Sequence, residues 1–507
     1  MNNPAETPDA APLARSIRRR LARGSSVYGL TTFGLRALGF ALLGVYSRYF
    51  SPRDYGIVSL SECIGIVVGV IAGLGLESGS RRLYFQFAGD AARLRGYLSS
   101  VLRLAAAASA LGLVIAFLCG PLIASHVAPK WDVGFFPYLA LPIFTAIASQ
   151  LLQCRLAVYQ CEERLFAFTA FVTLQSLATT LFTFGLVVWT RHGAAGLLAA
   201  RALGALVALL AAAGLSGALL RAKPNWADVR ETLQISLPLV PHGLMAVGLV
   251  ALDRFILQHY RPLSEVGLYT LAYNIGMIMT MVTASLSRAW TPLFFSMLLK
   301  GEEGRRAAGG IFDELVVLLL LIASAGALLA PLGVRWLFDS HYWPAARLAP
   351  IVVGAYLCHS LFVLFQLSVI QARRTPLVGV VSGIALLSNV GLNLAWAPRH
   401  GMVGAAYATL AAYFVELVLI AILAHRVLPL PHRWRWPSVG LLTFAAALAW
   451  TQLQTAVIPT LMFSGLLLAA CTIGLVQYFR RRGQGDEPGS CGVVTAEATE
   501  EIRMETF

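Results

Sequence analysis

A few ionisable side chains stand inside runs of otherwise apolar residues, and their chemistry is that of anions and protons. Arg36 lies between Leu35, Ala37 and Leu38, and the pair Asp253–Arg254 follows Val250-Ala251-Leu252. Glu62 and Glu416 are similarly isolated, while Glu77 and Arg288 sit nearer the ends of such runs. A guanidinium presents a planar fork of donors that fits a phosphate or a carboxylate with two parallel hydrogen bonds. A carboxylate withdrawn from water can carry a proton near neutral pH. Nothing comparable points to bond-making catalysis. No two aspartates are spaced Asp-x-Asp, and no Gly-x4-Gly-Lys-Ser/Thr phosphate loop occurs. The seven cysteines include no Cys-x-x-Cys pair and read as small core residues rather than a disulfide or metal framework. Neither a catalytic residue, a metal nor a cofactor is expected.

The elements that hold these charges must be membrane helices. Apolar residues make up 58% of the 507 and charged residues 13%, about half the usual ~25%, and mean hydropathy is +0.71. Apolar runs long enough to cross a bilayer, ~20 residues each, recur from Val27 to Phe479 without the alternation of barrel strands. The expected fold is all-α, with about fourteen spans. The first six are 25–50, 54–79, 97–124, 134–160, 164–190 and 193–220. The next six are 230–258, 264–299, 310–338, 345–371, 375–398 and 401–426, followed by 436–455 and 458–479.

The net charge of +14 comes from 36 Arg and 3 Lys. In this setting it calls for membrane topology rather than nucleic acid. The arginine skew fits either a GC-rich genome or selection for phosphate binding. With the N-terminus inside, 25 basic residues fall in inner segments and 8 in outer loops, and an even span number leaves both termini cytoplasmic. Residues 1–24 form a basic segment before an uncleaved first span, and the polar tail 483–507 reads as disordered.

The chain repeats itself at a period near 211. Asp54-Tyr55-Gly56-Ile57 matches Glu265-Val266-Gly267-Leu268, Gly65 falls on Gly276, and Arg191-His192-Gly193 falls on Arg399-His400-Gly401. Each copy holds six spans, so both enter the membrane from the same side. The expected units are a lobe at 25–222, a second at 228–428 and an extra helix pair at 436–479. Transporters with such halves bind substrate between them and rock to alternate access.

Leu252-Asp253-Arg254-Phe255, Glu265-Val266-Gly267-Leu268-Tyr269, Trp290-Thr291-Pro292, and Asn389 and Asn393 ahead of Pro398 and Gly401 follow in order. This succession resembles Wzx-type polysaccharide flippases of the multidrug/oligosaccharidyl-lipid/polysaccharide exporter superfamily, over about residues 25 to 480. The resemblance implies two six-helix lobes around a central cavity in a bacterial inner membrane. It implies an undecaprenyl-pyrophosphate-linked oligosaccharide as substrate, for lipopolysaccharide, capsule or exopolysaccharide. Polysaccharide polymerase and chain-length proteins are candidate partners beside the lipid bilayer. Alternatives are a lipid II or small-molecule exporter of the same superfamily, or a membrane polymerase or glycosyltransferase. The short loops leave no room for the last.

Within that frame Arg36, Arg48, Arg254 and Arg288 are candidate cavity cations. Arg36 either binds pyrophosphate or pairs with a neighbouring acid. Asp253 and Arg254 either pair with other helices or gate the outer mouth. Glu77 and Arg288 are repeat-equivalent and form a candidate inner latch. Glu62 and Glu416 are either proton carriers or packed hydrogen-bonding residues. Pro238 and Pro241 mark a bend in span seven, either working or static.

Overall fold

Burying a charge in lipid is costly, and a backbone in lipid must bond to itself, so the apolar runs settle as packed helices. The computed structural model describes residues 42–453, apart from 88, 128–130, 132, 163 and 433–434, together with 34, 35 and 39. Arg36, the segments 1–24 and 483–507, the span 458–479 and most of 25–50 lie outside the described residues. The helices are α1 (Pro52–Gly73), α2 (Leu76–Phe87), α3 (Ala91–Val127), α4 (Ala140–Cys161), α5 (Leu165–Thr183) and α6 (Gly193–Leu220). They continue with α7 (Trp226–Ser236), α8 (Leu239–Tyr260), α9 (Leu263–Gly276), α10 (Ile278–Leu298), α11 (Gly301–Leu337), α12 (Ala345–Gln371), α13 (Thr375–Val427) and α14 (Arg435–Leu453). Among the described residues, ten helical stretches are long and apolar enough to cross a membrane. One of them is two crossings. The 53 residues of α13 would extend about 80 Å, against a hydrocarbon core of about 30 Å, and the chain doubles back at Gly401.

Helix ends are set by local chemistry. Ser51 and Asp54 form a reciprocal capping box at α1, with Pro52 in the first turn, where its missing N–H costs nothing. Asp90 accepts from the backbone N–H groups of Ala92 and Arg93 at the start of α3, and these bonds hold its carboxyl below the ordinary aspartate range.

The repeat reappears as a pair of matched joints. In the second half Glu265 accepts from the backbone N–H of Met402 at 2.9 Å, beside Gly401, whose φ is 58°. In the first half Asp54 lies against Gly193, whose φ is 54°. Both glycines hold left-handed backbone that a side chain resists. A Cβ on Gly401 would strike the Glu265 carboxylate, whereas one on Gly193 would only touch Asp54, at 3.9 Å. Gly401→Ala is therefore expected to destabilise by about 1–3 kcal/mol, and more than Gly193→Ala. Thermal unfolding of the two purified variants in detergent checks the order.

The lobes are joined by α7, which is docked on the first. Asp228 pairs with Arg93 at 3.2 Å, and Thr232 donates to the Tyr97 hydroxyl. The helix stops at Ser236, Pro238 is the N-cap of α8, and Pro241 lies in the first turn of α8. The bend expected within span seven is thus a junction between two helices. The second lobe's first span begins at Leu239, and the connector before it packs on the first lobe.

Candidate charged site between the lobes

The two lobes meet where α1 crosses α9. Gly56 and Gly267, equivalent in the repeat, let the backbones touch: a Cβ on Gly56 would meet the Leu263 carbonyl, and one on Gly267 the Pro52 carbonyl. Beside them Thr270 donates to Ser59 at 2.9 Å, again between repeat-equivalent positions. Asn274 donates to the Tyr55 hydroxyl at 2.7 Å. The backbone N–H of Asp339 donates to Ser47, and the Tyr342 hydroxyl donates to the Phe50 carbonyl, so this end of the molecule is sealed.

Toward the other end the same faces open. Along α1 the stripe Tyr55, Ser59, Glu62, Ile66 runs from buried to exposed: Ser59 is 6% accessible, the Glu62 side chain 32% and Ile66 46%. Along α9 and α10, Thr270 is buried, Asn274 and Met281 are half-buried, and Ser285 and Arg288 are exposed. The helices splay below the crossing and leave a cleft whose apex is polar.

Each lobe brings charge to that apex. From the first lobe, Glu62 on α1 is ion-paired with Arg201 on α6. From the second, Arg254 is 4% accessible, donates to Thr270 and to the Val250 carbonyl, and lies 4.4 Å over the Tyr273 ring. Tyr55 lies within electrostatic reach of both guanidiniums, Arg201 and Arg254. Asp253, wholly buried, accepts from the Tyr269 hydroxyl at 2.5 Å and from the backbone N–H of Arg254 at 2.7 Å. Tyr269 continues to Thr409 and then to Asn389 and Asn393, tying α8 and α9 to both arms of α13. Buried charge is tolerable here because each charged group meets polar partners.

The other candidates fall elsewhere. Glu416 is buried inside the second lobe, where it accepts from His359 at 3.1 Å and from Ser382 at 2.9 Å. Arg48 is exposed in a turn at the sealed end, away from Arg201 and Arg254. A residue directly after a span's last turn follows the chain outward into solvent. Glu77 pairs with Arg81 at 2.6 Å and Arg288 is exposed on α10, so the expected latch is not made in this conformation. Arg201, Tyr55, Asn274 and His359 escaped the reading of the sequence. Arg201 carried a usable signal, since it is the one charge in Gly193–Leu220. Among the described residues no group of three His, Cys, Asp or Glu side chains is placed to hold a metal.

Residues 21–298 match the family described as polysaccharide biosynthesis protein. The probable flippase AglR of Haloferax volcanii is 26% identical over 193 residues, which span 35% of this chain and 37% of that protein. Two solved structures share the fold. The lipid II flippase MurJ in an inward closed conformation superposes with a TM-score of 0.65 at 10% identity, over 89% of this chain and 100% of that one. An inward-facing multidrug transporter of the MATE family gives 0.61 at 12% identity, over 79% and 95%. The family match takes in more than half of the 507 residues, both arms of the lobe crossing and the Glu62, Arg201 and Asp253–Arg254 groups. The chain therefore belongs to the polysaccharide biosynthesis protein family and shares an all-α fold with these two structures.

Proposed function

We propose that the protein is a flippase that carries an undecaprenyl-pyrophosphate-linked oligosaccharide across the inner membrane for surface polysaccharide synthesis. The observation that carries this reading is the pair of guanidiniums, the partly accessible Arg201 of the first lobe and the buried Arg254 of the second, both within electrostatic reach of Tyr55 at the lobe crossing. A diphosphate is the ligand class that arginine forks suit, and a cleft between parallel repeats is where alternating access places its cargo. The excess of basic residues at the open end supports a cytoplasmic orientation for it, with loading from the inner leaflet. Lipid II, also a polyprenyl diphosphate, is the second reading, favoured by the likeness to MurJ. A polymerase and chain-length proteins would then act on the delivered units.

Deleting the gene in its host is expected to accumulate lipid-linked oligosaccharide on the inner leaflet and abolish the surface polymer. Re-expression should restore both. Accumulation of unpolymerised units on the outer leaflet would overturn the proposal and favour a polymerase. Arrest of peptidoglycan synthesis with surface polymer intact would favour lipid II.

A further inference from the structure

We infer that Glu62 is a built-in stand-in for the substrate's phosphate, holding Arg201 while the cleft is empty and yielding it when a diphosphate arrives. The inference rests on the flippase reading and names the receiving group. Three observations lead to it. First, each partner is isolated: Glu62 is the one charge between Asp54 and Glu77, and Arg201 the one charge in α6, yet the fold brings them together as an ion pair. Second, the pair is reachable. The two side chains are 33% and 32% accessible at the apex of the cleft, whereas Asp253 and Arg254 in the other lobe are sealed at 0% and 4%. Third, the pair is absent from the second repeat. With the offsets of the matched motifs, Glu62 corresponds to Tyr273 and Arg201 to Thr409, both uncharged and buried. A structural requirement of the fold would be expected in both copies.

The physics of an empty site supplies the reason. A guanidinium facing the cleft without a counter-charge is costly. A fixed carboxylate removes that cost and lets the site wait unloaded. A diphosphate, with more charge and more acceptor oxygens than one carboxylate, can displace it through a bidentate contact. Return of Glu62 to Arg201 then competes the phosphate off after translocation. The exchange swaps one ion pair for another and breaks no covalent bond.

The test uses the full chain in lipid nanodiscs, titrated with farnesyl pyrophosphate, inorganic pyrophosphate and farnesol. E62Q is expected to bind farnesyl pyrophosphate at least tenfold more tightly than the wild type, because the internal competitor is gone. R201Q should weaken it at least tenfold, and E62Q/R201Q should bind as weakly as R201Q. Farnesol binding should not change in any variant. E62D, which keeps the charge, serves if E62Q fails to fold and should stay within a fewfold of wild type. The swapped pair E62R/R201E separates a structural role from a receiving one: it should recover thermal stability without recovering diphosphate affinity. Unchanged or weaker binding in E62Q, or full affinity in the swapped pair, overturns the inference and leaves the flippase reading intact. A wild type that binds neither diphosphate overturns both.

Discussion

A disulfide between Ser59→Cys and Thr270→Cys is expected to abolish transport, and a reductant to restore it. The two hydroxyls are 2.9 Å apart, on helices whose backbones already touch at Gly56 and Gly267. Two thiols so placed can reach a bond of about 2.05 Å with small adjustment. The crossing closes one end of the cleft, and alternating access needs that end to part while the other closes. A covalent tie at the crossing holds the lobes in the present state. The seven native cysteines, among them the exposed Cys119 and the buried Cys63 one turn further along α1, would be replaced by Ser so that only the engineered pair reacts. Each single cysteine should retain activity, since a thiol fits where a hydroxyl stood. The loss on oxidation should be complete, to the level of vesicles without protein, measured as lipid-linked oligosaccharide reaching the far leaflet. Undiminished transport by fully cross-linked protein would mean that the crossing never opens.

That crossing was legible in outline. Asp54-Tyr55-Gly56 and Glu265-Val266-Gly267 stood out as repeat partners, and the fold places them against each other about the pseudo-twofold. A repeat tells which residues are equivalent, and only those near the axis can meet. Gly56 and Gly267 lie there, and so do Ser59 and Thr270. Glu77 and Arg288 are equivalent too, but Glu77 lies beyond the turn at Leu74 and Gly75 and pairs with Arg81, so equivalence alone did not make them a pair. Helix breaks were less legible. The turn at Leu74 and Gly75, both with positive φ, interrupts a run that reads as one span. Pro238 reads equally well as a kink or as a helix start until the docking of α7 on the first lobe is known.

The site was half legible for a related reason. The cost of a charge in lipid identifies residues that must find partners, and it found Asp253, Arg254, Glu62 and Glu416. It does not say which partner, because that depends on helix rotation. Arg201 is as isolated in sequence as Arg36 and was passed over. His359 beside Glu416 lies 57 residues away along the chain, beyond any local pattern. Arg48 shows the converse case: a charge at a span's end has solvent within reach and needs no partner.

The second large effect concerns the sealed pair. Asp253→Ala removes a wholly buried carboxylate that lies within electrostatic reach of the Arg254 guanidinium, itself 4% accessible, and that accepts from the Tyr269 hydroxyl and the Arg254 backbone N–H. Leaving a buried charge with less compensation, and two buried donors without their acceptor, is strongly destabilising. Asp253→Ala should therefore unfold at markedly lower temperature or fail to accumulate. Asp253→Asn should fall between it and the wild type, because the amide oxygen still accepts from the Tyr269 hydroxyl but brings no charge. Arg254→Leu should cost less than Asp253→Ala. The carboxylate it leaves behind keeps two donors, the Tyr269 hydroxyl and a backbone N–H, and can also take up a proton. The double change Asp253→Ala with Arg254→Leu removes both charges and should recover most of the stability. That stable double variant then isolates the role of Arg254. If its guanidinium meets the phosphate when the cleft loads, transport is lost although the fold is sound. Wild-type transport by the double variant would instead assign the pair to structure alone and leave Arg201 as the cation that matters at the apex.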